Sequence, residues 1–409
     1  GRYQGKDVAI SDFDPISWAC EVAPETVDVS QLDEFMNSVC PGPGACQLLG
    51  TANTMQCLTE AVGLSLPGSS TRVALTAPAM WLAKEAGRKI VDLVEKGLRV
   101  TDIVTPKSIE NMIRVMHAIG GGTNAIVHIL AFVEEFGWGD KIDLKLIEEL
   151  SKTTPCITAV KPSGPYHMSD LDEAGGIQAV MKQLGDRIYQ DVLTVNGKTV
   201  GENLKAAKVR RPEVIRTPED PVFREGLCVL HGNLAESAVV RPTVVAKEVQ
   251  HIIGPARVFD AMEDALDALR KHKINAGDII VLRYEGPRGG PGLTDIFKVM
   301  GYLYSLGLDK KCAVVTDGKV SGFAKGPFIC QVTPEAAVGG PLAIIKEGEK
   351  IEINLHERKL NLLVQDEEIK KRLQEWVAPA PRVKSGFLTL YARLAKPTNK
   401  GAGLDLNLR

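Results

Sequence analysis

What this 409-residue chain lacks narrows its function before any motif is read. No apolar run approaches the roughly 18–20 residues that a membrane-spanning helix needs, so no bilayer is expected among its partners. Charge of one sign is missing too: the formal net charge is −2 and the basic residues are scattered, which leaves no electrostatic track for nucleic acid. The eight cysteines are spread along the whole chain, without the density of a disulfide-stapled secreted domain, and this points to a reducing compartment. No cysteine pair has the CxxC…CxxC arrangement of a structural zinc site. No glycine-rich stretch has the GxxxxGK[ST] spacing of a phosphate loop, and none follows a strand as a GxGxxG dinucleotide site must. There is no initiator methionine and no leader-like segment; the chain enters at once on the strand-like "GRYQGKDVAI" and reads as one whose start has been removed.

What is present is an ordinary globular composition, 44% hydrophobic and 24% charged, on a chain long enough for two domains around substantial cores. Residues 1–205 read mostly as helices: "NTMQCLTEAVGL", "SIENMIRVMHAI" and "TNAIVHILAFVEEFG" repeat apolar residues at three- and four-residue spacing. The periodicity fails in the Pro- and charge-rich stretch at 206–225, which suits an exposed connection. From 226 to 395 short apolar runs alternate with turn signals: "LCVLHG", "AVVRPTVV", "ARVFD", "DIIVLRYEG", "CAVVTDG", "LAIIKEG" and "KIEINL". A polar tail, 396–409, is expected to be loosely ordered. The fold expected is α/β: a partial N-terminal α/β domain and a C-terminal strand-rich β/α domain, for which the resemblance described below implies a swivelling-barrel-like form.

Four segments combine glycine with polar residues: "CPGPGACQLLGTANTM" from Cys40, "GGGTNA" from Gly120, "RYEGPRGGPGLTD" ending at Asp295, and "TDGKVSGFAKGPF" containing Ser321. Glycine permits close approach of backbone to a ligand, and it also makes ordinary turns. Cys46 is either an inert thiol or one thiolate of a metal or cluster site; Cys40 lies six residues away with no histidine nearby to complete a ligand set. Asp295 sits at an expected helix start, so its carboxylate either complements the helix dipole or binds a ligand. Ser321 is a turn serine or a reactive one. His117 and His128 fall on helical apolar faces, where a satisfied core histidine is the commoner case.

In order along the chain, "GRYQGKDV", "CPGPGAC…TANTMQCLTEAVGLSLPG", "GGGTNAIVH", "KPSGPYHMSDLDEAGGIQAVM", "GKTVGENL", "GPARVFD", "GDIIVLRYEGPRGGPGL", "TDGKVSG", "VTPEAAVGGPLAII" and "YARLAKPTNKGA" resemble one family. It comprises the dihydroxy-acid, sugar-acid and phosphogluconate dehydratases, and the resemblance covers their C-terminal two-thirds. It implies a hydro-lyase that removes water from a 2,3-dihydroxy carboxylate to give a 2-keto acid, with dihydroxy-acid dehydratase of branched-chain amino-acid biosynthesis favoured over a sugar-acid (aldonate) enzyme. A non-catalytic or split-subunit homologue is the reading from another class. It also implies an iron–sulfur cluster (2Fe-2S or 4Fe-4S), with Cys46 as one of three ligands; Mg2+, with Asp295 as a ligand where the family usually has Glu; and Ser321 as the base at C2. Cys40 matches a position that is often cysteine but not a ligand. The other ligands belong to a segment that precedes the counterpart of Gly1 in family members. Gln47, Leu48, Leu49, Phe323 and Lys325 depart from the family pattern beside the site. A homodimer or tetramer, and a cytoplasmic location or an organelle matrix in a eukaryote, complete what the resemblance implies.

Overall fold

The computed structural model describes residues 2–8, 10–40, 42–290, 292–322 and 324–406, and the chain divides into two compact units interleaved in sequence. The first comprises residues 1–11, 31–125 and 145–226; the second comprises 12–30, 126–144 and 227–409. The stretch 206–225, expected to be an exposed connection, lies within the first unit, where Val214 and Ile215 are fully buried.

The first unit is helical. Its strands are the two-residue β1 (Arg2–Tyr3) and β2 (Lys6–Asp7), paired antiparallel, so residues 2–7 make a minimal hairpin before a helix begins at Ile10. The helices Thr51–Ala61, Pro106–Ile119 and Gly176–Leu184 form its centre. Ile109, Ile113 and Met116 repeat at helical spacing and are fully buried, as are Cys57 and Leu58 on Thr51–Ala61. Thr105 and Ser108 exchange capping hydrogen bonds at the start of Pro106–Ile119, and Gly120 closes its other end in the left-handed conformation (φ +61°). A Cβ on the next residue, Gly121, would stand 2.8 Å from the Thr54 methyl, and the Gly122 amide donates to Thr54 Oγ1 at 3.2 Å. The "GGGTNA" segment is therefore a helix stop packed on a neighbouring helix.

The second unit is built on a closed barrel with strand order β10-β3-β4-β8-β7-β6-β5-β9. Its strands are β3 (Cys228–Gly232), β4 (Ala235–Val240), β5 (His251–Phe259), β6 (Ile279–Leu282), β7 (Ala313–Thr316), β8 (Phe328–Thr333), β9 (Lys350–Asn354) and β10 (Lys359–Leu362). Strands β5 to β8 run parallel, joined through helices Met262–Arg270 and Phe297–Ser305. Because both faces of β6 and β7 are covered, they read as continuous apolar runs rather than alternating ones. Their period of two nevertheless sorts them. Ile279, Val281, Ala313 and Val315 join one core with Leu230 and Leu360, while Ile280, Leu282 and Val314 join another with Leu269 and Leu303 of the helices.

Two expectations change. "LAIIKEG" forms no strand: Pro341 opens a 3-10 turn, Pro341–Ile344, because proline withholds the amide a ladder needs. Nor are residues 396–406 a loose tail. Ala395 pairs with Leu404 in a β-bridge, Thr398 is buried, and a Cβ on Gly401 would meet the Ala131 amide nitrogen at 2.2 Å. This hairpin packs backbone to backbone on the helix Asn124–Glu135.

Candidate active site

Leu282 of β6 and Thr316 of β7 are register partners, so the segments that follow, 283–295 and 317–324, leave the carboxyl ends of adjacent parallel strands. The carboxyl ends of parallel strands are where α/β sheets commonly bind ligands, which makes these two segments the candidate site. Asp317, fully buried, ties the loops together: it accepts from the amides of Glu285 (2.8 Å), Ala336 (3.0 Å) and Tyr284 (3.1 Å). Burial outweighs these donors and pushes the Asp317 carboxyl up to about 6. Beside it, buried Glu285 accepts from the Met262 amide (2.9 Å) at the start of Met262–Arg270 and from Arg382 (3.1 Å). Buried Glu335 accepts from the Thr398 amide at 3.3 Å, and burial raises its carboxyl as well.

On this base the structure brings Asp295 and Ser321 together. A β-bridge aligns Asp295 with Lys319, closed by Lys319 N–H to Thr294 O and Ile296 N–H to Lys319 O, both 2.9 Å. Asp295 Oδ1 accepts from the Ser321 amide (3.0 Å) and the Phe297 amide (3.2 Å), and Oδ2 accepts from Lys319 Nζ at 2.8 Å. Asp295 thus does sit at the start of Phe297–Ser305, and it also holds the backbone of Ser321. The hydroxyl-bearing Ser321 is half-buried.

Two participants carried no readable signal. Arg241, fully buried after β4, donates from Nη1 to the carbonyl of Gly322, the residue after Ser321. Lys319 lies inside "TDGKVSG", where nothing in the neighbouring residues marks it as a partner of Asp295. His128 differs from expectation: it is exposed, lining a cavity of about 290 Å³ with Phe132, Glu134, Lys396 and Lys400. Partial burial of the ring and then the Lys319 charge hold its pKa below the ordinary value. His117 is the core histidine expected, with its Nε2 3.0 Å from the Ile147 carbonyl. Lys325 is exposed, its ammonium 5.8 Å from the Tyr304 ring centre, and Phe323 lies outside the described residues.

Cys46 belongs to the first unit and Asp295 and Ser321 to the second. The Asn53 amide donates to the carbonyls of Cys46 (2.5 Å) and Leu48 (2.7 Å) from the helix that follows the loop. Leu49 N–H donates to Lys161 O (2.8 Å) and Met168 N–H to Gln47 O (2.9 Å), so "KPSGPYHM" braces the loop from outside. Leu48 and Leu49 are fully buried: they are packing residues that anchor the turn, leaving the Cys46 side chain part-exposed and Cys40 exposed. Cys57, by contrast, is sealed in the core, where burial drives its thiol far above the usual range.

The fit to the implied groups is partial. Cys46 offers a part-exposed thiol, and Asp295 Oδ2 already faces a cation, the Lys319 ammonium, so each suits one ligand position. Among the described residues no cluster of three or more His, Cys, Asp or Glu side chains could hold a metal ion. No helix among them is long and apolar enough to cross a membrane.

The models for the N-terminal and C-terminal domains of dihydroxy-acid/6-phosphogluconate dehydratases match residues 6–203 and 213–402. Dihydroxy-acid dehydratase of Acetivibrio thermocellus is 46% identical over 376 residues, spanning 91% of this chain and 68% of that protein. The Moorella thermoacetica enzyme of the same name is 43% identical over 409 residues, 99% of this chain and 73% of its own length. A third relative, dihydroxy-acid dehydratase 1 of Methanosarcina acetivorans, is 43% identical over 382 residues, with 92% and 68% covered. The match to both domain models, together with relatives named dihydroxy-acid dehydratase, makes this chain an enzyme of the hydro-lyase class. The chain belongs to the dihydroxy-acid/6-phosphogluconate dehydratase family.

Proposed function

We propose that this chain dehydrates a 2,3-dihydroxy carboxylate to the 2-keto acid, with a branched-chain dihydroxy acid as substrate and Ser321 as the base. The observation that carries the reading is the clasp in which Asp295 Oδ1 holds the Ser321 amide at 3.0 Å at the mouth of the barrel. In the reaction Ser321 Oγ, as the alkoxide, takes the proton from C2, the C2 electron pair forms the C2–C3 double bond as the 3-hydroxyl departs as hydroxide, the serine proton passes to that hydroxide to give water and restore the alkoxide, and the enol tautomerises to the keto acid. The chain supplies placement: Asp295 fixes the serine amide, Arg241 fixes the next carbonyl, and Asp317 locks the strand ends beneath both. Cys46 would contribute one ligand to an iron–sulfur cluster and Asp295 one to magnesium. When bound, these supply Lewis acidity for the leaving hydroxyl and a grip on the substrate carboxylate.

The family name also covers 6-phosphogluconate dehydratases, and the names of the matched relatives favour the branched substrate over a sugar acid. The test is anaerobic reconstitution with iron, sulfide and Mg2+, followed by release of 2-keto acid from 2,3-dihydroxy-3-methylbutanoate and from an aldonate. Keto acid from the branched substrate alone supports the reading; turnover of the aldonate alone overturns the substrate. Absence of iron after reconstitution, with no turnover of either, would favour a scaffold homologue.

A further inference from the structure

The helix Ala77–Glu95 differs from the three central helices of the first unit: it runs for 19 residues and none of them is buried. Helices in proteins owe most of their stability to an apolar face packed on something else, and here such a face is turned to solvent. Met80, Ala83, Gly87, Ile90 and Val94 follow the alternating three- and four-residue spacing of a coiled-coil seam, with Val91 beside them. All are exposed, Met80 at 57% and Val94 at 75%. The opposite side carries the half-buried Leu82 and Leu93 and lies over a cavity of about 470 Å³.

The middle of the seam is a glycine that this chain does not explain. Glycine inside a helix weakens it relative to alanine. A Cβ built on Gly87 would meet nothing within 4 Å, and its backbone is ordinary helix, so neither space nor a left-handed conformation calls for it. A missing side chain at the centre of an exposed apolar seam lets another backbone approach closely. The order of residues says which backbone. Counted from Gly87, apolar residues stand at −7 (Met80), −4 (Ala83), +4 (Val91) and +7 (Val94), so the seam reads the same in both directions. An antiparallel second copy, related by a two-fold axis through Gly87, sets Met80 against Val94 and Ala83 against Val91, twice over, with the two glycines face to face. Lys84 falls opposite Ile90, where its methylene stem covers the isoleucine. With Trp81 at its edge the seam offers roughly 800 Å², about what one partner contributes to a standard interface.

We propose that Ala77–Glu95 is a self-association surface, through which two copies of this chain pair antiparallel, crossing at Gly87. The proposal is independent of how the site at the barrel end is read. The direct experiment is disulfide trapping in the full chain. Gly87→Cys should give a covalent dimer on mild oxidation, the 87–87 link being identified by peptide mass spectrometry, with the wild type and its eight native cysteines as background. Val94→Cys should not, because the two copies of residue 94 fall at opposite ends of the seam, about 20 Å apart. Links at both positions would mean a parallel or random encounter, and no link at 87 would mean no contact there; either overturns the proposal.

Sedimentation equilibrium without oxidant reads the same surface. Val94→Asp should weaken self-association by about 100-fold or more, since each dimer would bury two unpaired charges. Gly87→Ala should weaken it by about 10-fold, since each added methyl holds the helices apart. The alanine has a telling sign: on a face that stays bare it only improves the helix and raises the thermal midpoint at every protein concentration. A wild type that is monomeric at tens of micromolar, or whose mass ignores both substitutions, leaves this helix to another partner and overturns the proposal.

Discussion

The loop around Cys46 and the loop around Ser321 solve the same problem, holding one reactive side chain at a turn, with different materials. The cysteine loop is pinned by neutral groups: a carboxamide bridging two carbonyls, two backbone hydrogen bonds from distant segments, and two fully buried leucines. The serine loop is pinned by ions: Asp317 beneath it, the Asp295–Lys319 pair beside it, and the buried guanidinium of Arg241 behind it. Neutral pinning is insensitive to pH and salt and depends on packing. Ionic pinning is directional and responds to other cations, at the expense of desolvating each charge. The difference teaches where this protein is tunable: at the barrel end rather than at the cysteine turn.

Four measurements break or sharpen that contrast. The largest effect is expected from Ser321→Ala, which should lower turnover by roughly 10²–10⁴-fold. It should leave thermal stability and cluster absorbance at wild-type levels; persistent turnover would remove the serine from its role. Next, Leu48→Ala should destabilise the first unit by about 2–5 kcal/mol in denaturant unfolding, because a fully buried leucine leaves a cavity. A cost under ~1 kcal/mol would mean that packing does not hold the cysteine turn.

Asp317→Asn comes third, at about 1–3 kcal/mol, since a carboxamide turns N–H groups toward amides that need an acceptor. This site also carries the pH signature. The folded carboxyl is raised to about 6 from an ordinary 3.8, so between these values the folded chain binds more protons than the unfolded one. The Asp317 contribution to stability therefore falls as pH rises from about 4 to about 6. Unfolding midpoints measured across that range should show this component in the wild type and lack it in Asp317→Asn. The smallest effect belongs to Asn53→Ala, about 1–2 kcal/mol for two neutral hydrogen bonds, with no dependence on pH over the same range. Faster alkylation of Cys46 in that variant would show the turn loosening; a pH-dependent cost would erase the contrast between the loops.

Much of this was legible from residue order alone, for identifiable reasons. Helices such as Pro106–Ile119 announced themselves through apolar spacing, and "DIIVLRYEG" and "CAVVTDG" through β-branched runs ending in turn residues. The misreadings share a cause. "LAIIKEG" has strand composition, but Pro341 and the loop it joins override it; β8, "FICQVT", is masked in the sequence by the glycine-rich segment it directly follows. At the site, Asp295 and Ser321 stood in recognisable motifs, and the structure joins them by hydrogen bond. Arg241 could not be anticipated, because a buried guanidinium has meaning only through the carbonyl it reaches, 81 positions away. Lys319 was visible but silent: its partner lies on a neighbouring strand end, which local sequence does not encode.

Closure of the barrel carries a consequence for how the protein is made. The cylinder is sealed by β10 against β3, where Lys359 pairs with His231, and these strands are separated by the whole of the intervening barrel sequence. Contacts between distant segments form late, because the chain entropy of a long loop must be overcome first. During synthesis, β3 and β9 each present an unsatisfied edge until β10 leaves the ribosome, and exposed edges are templates for pairing with the wrong chain. Residues 12–30, which precede every barrel strand in the chain, belong to the same unit and must wait for strands made much later. Slowing elongation or lowering the expression temperature acts on that interval, and the yield of native protein should follow the time for which those edges stay open.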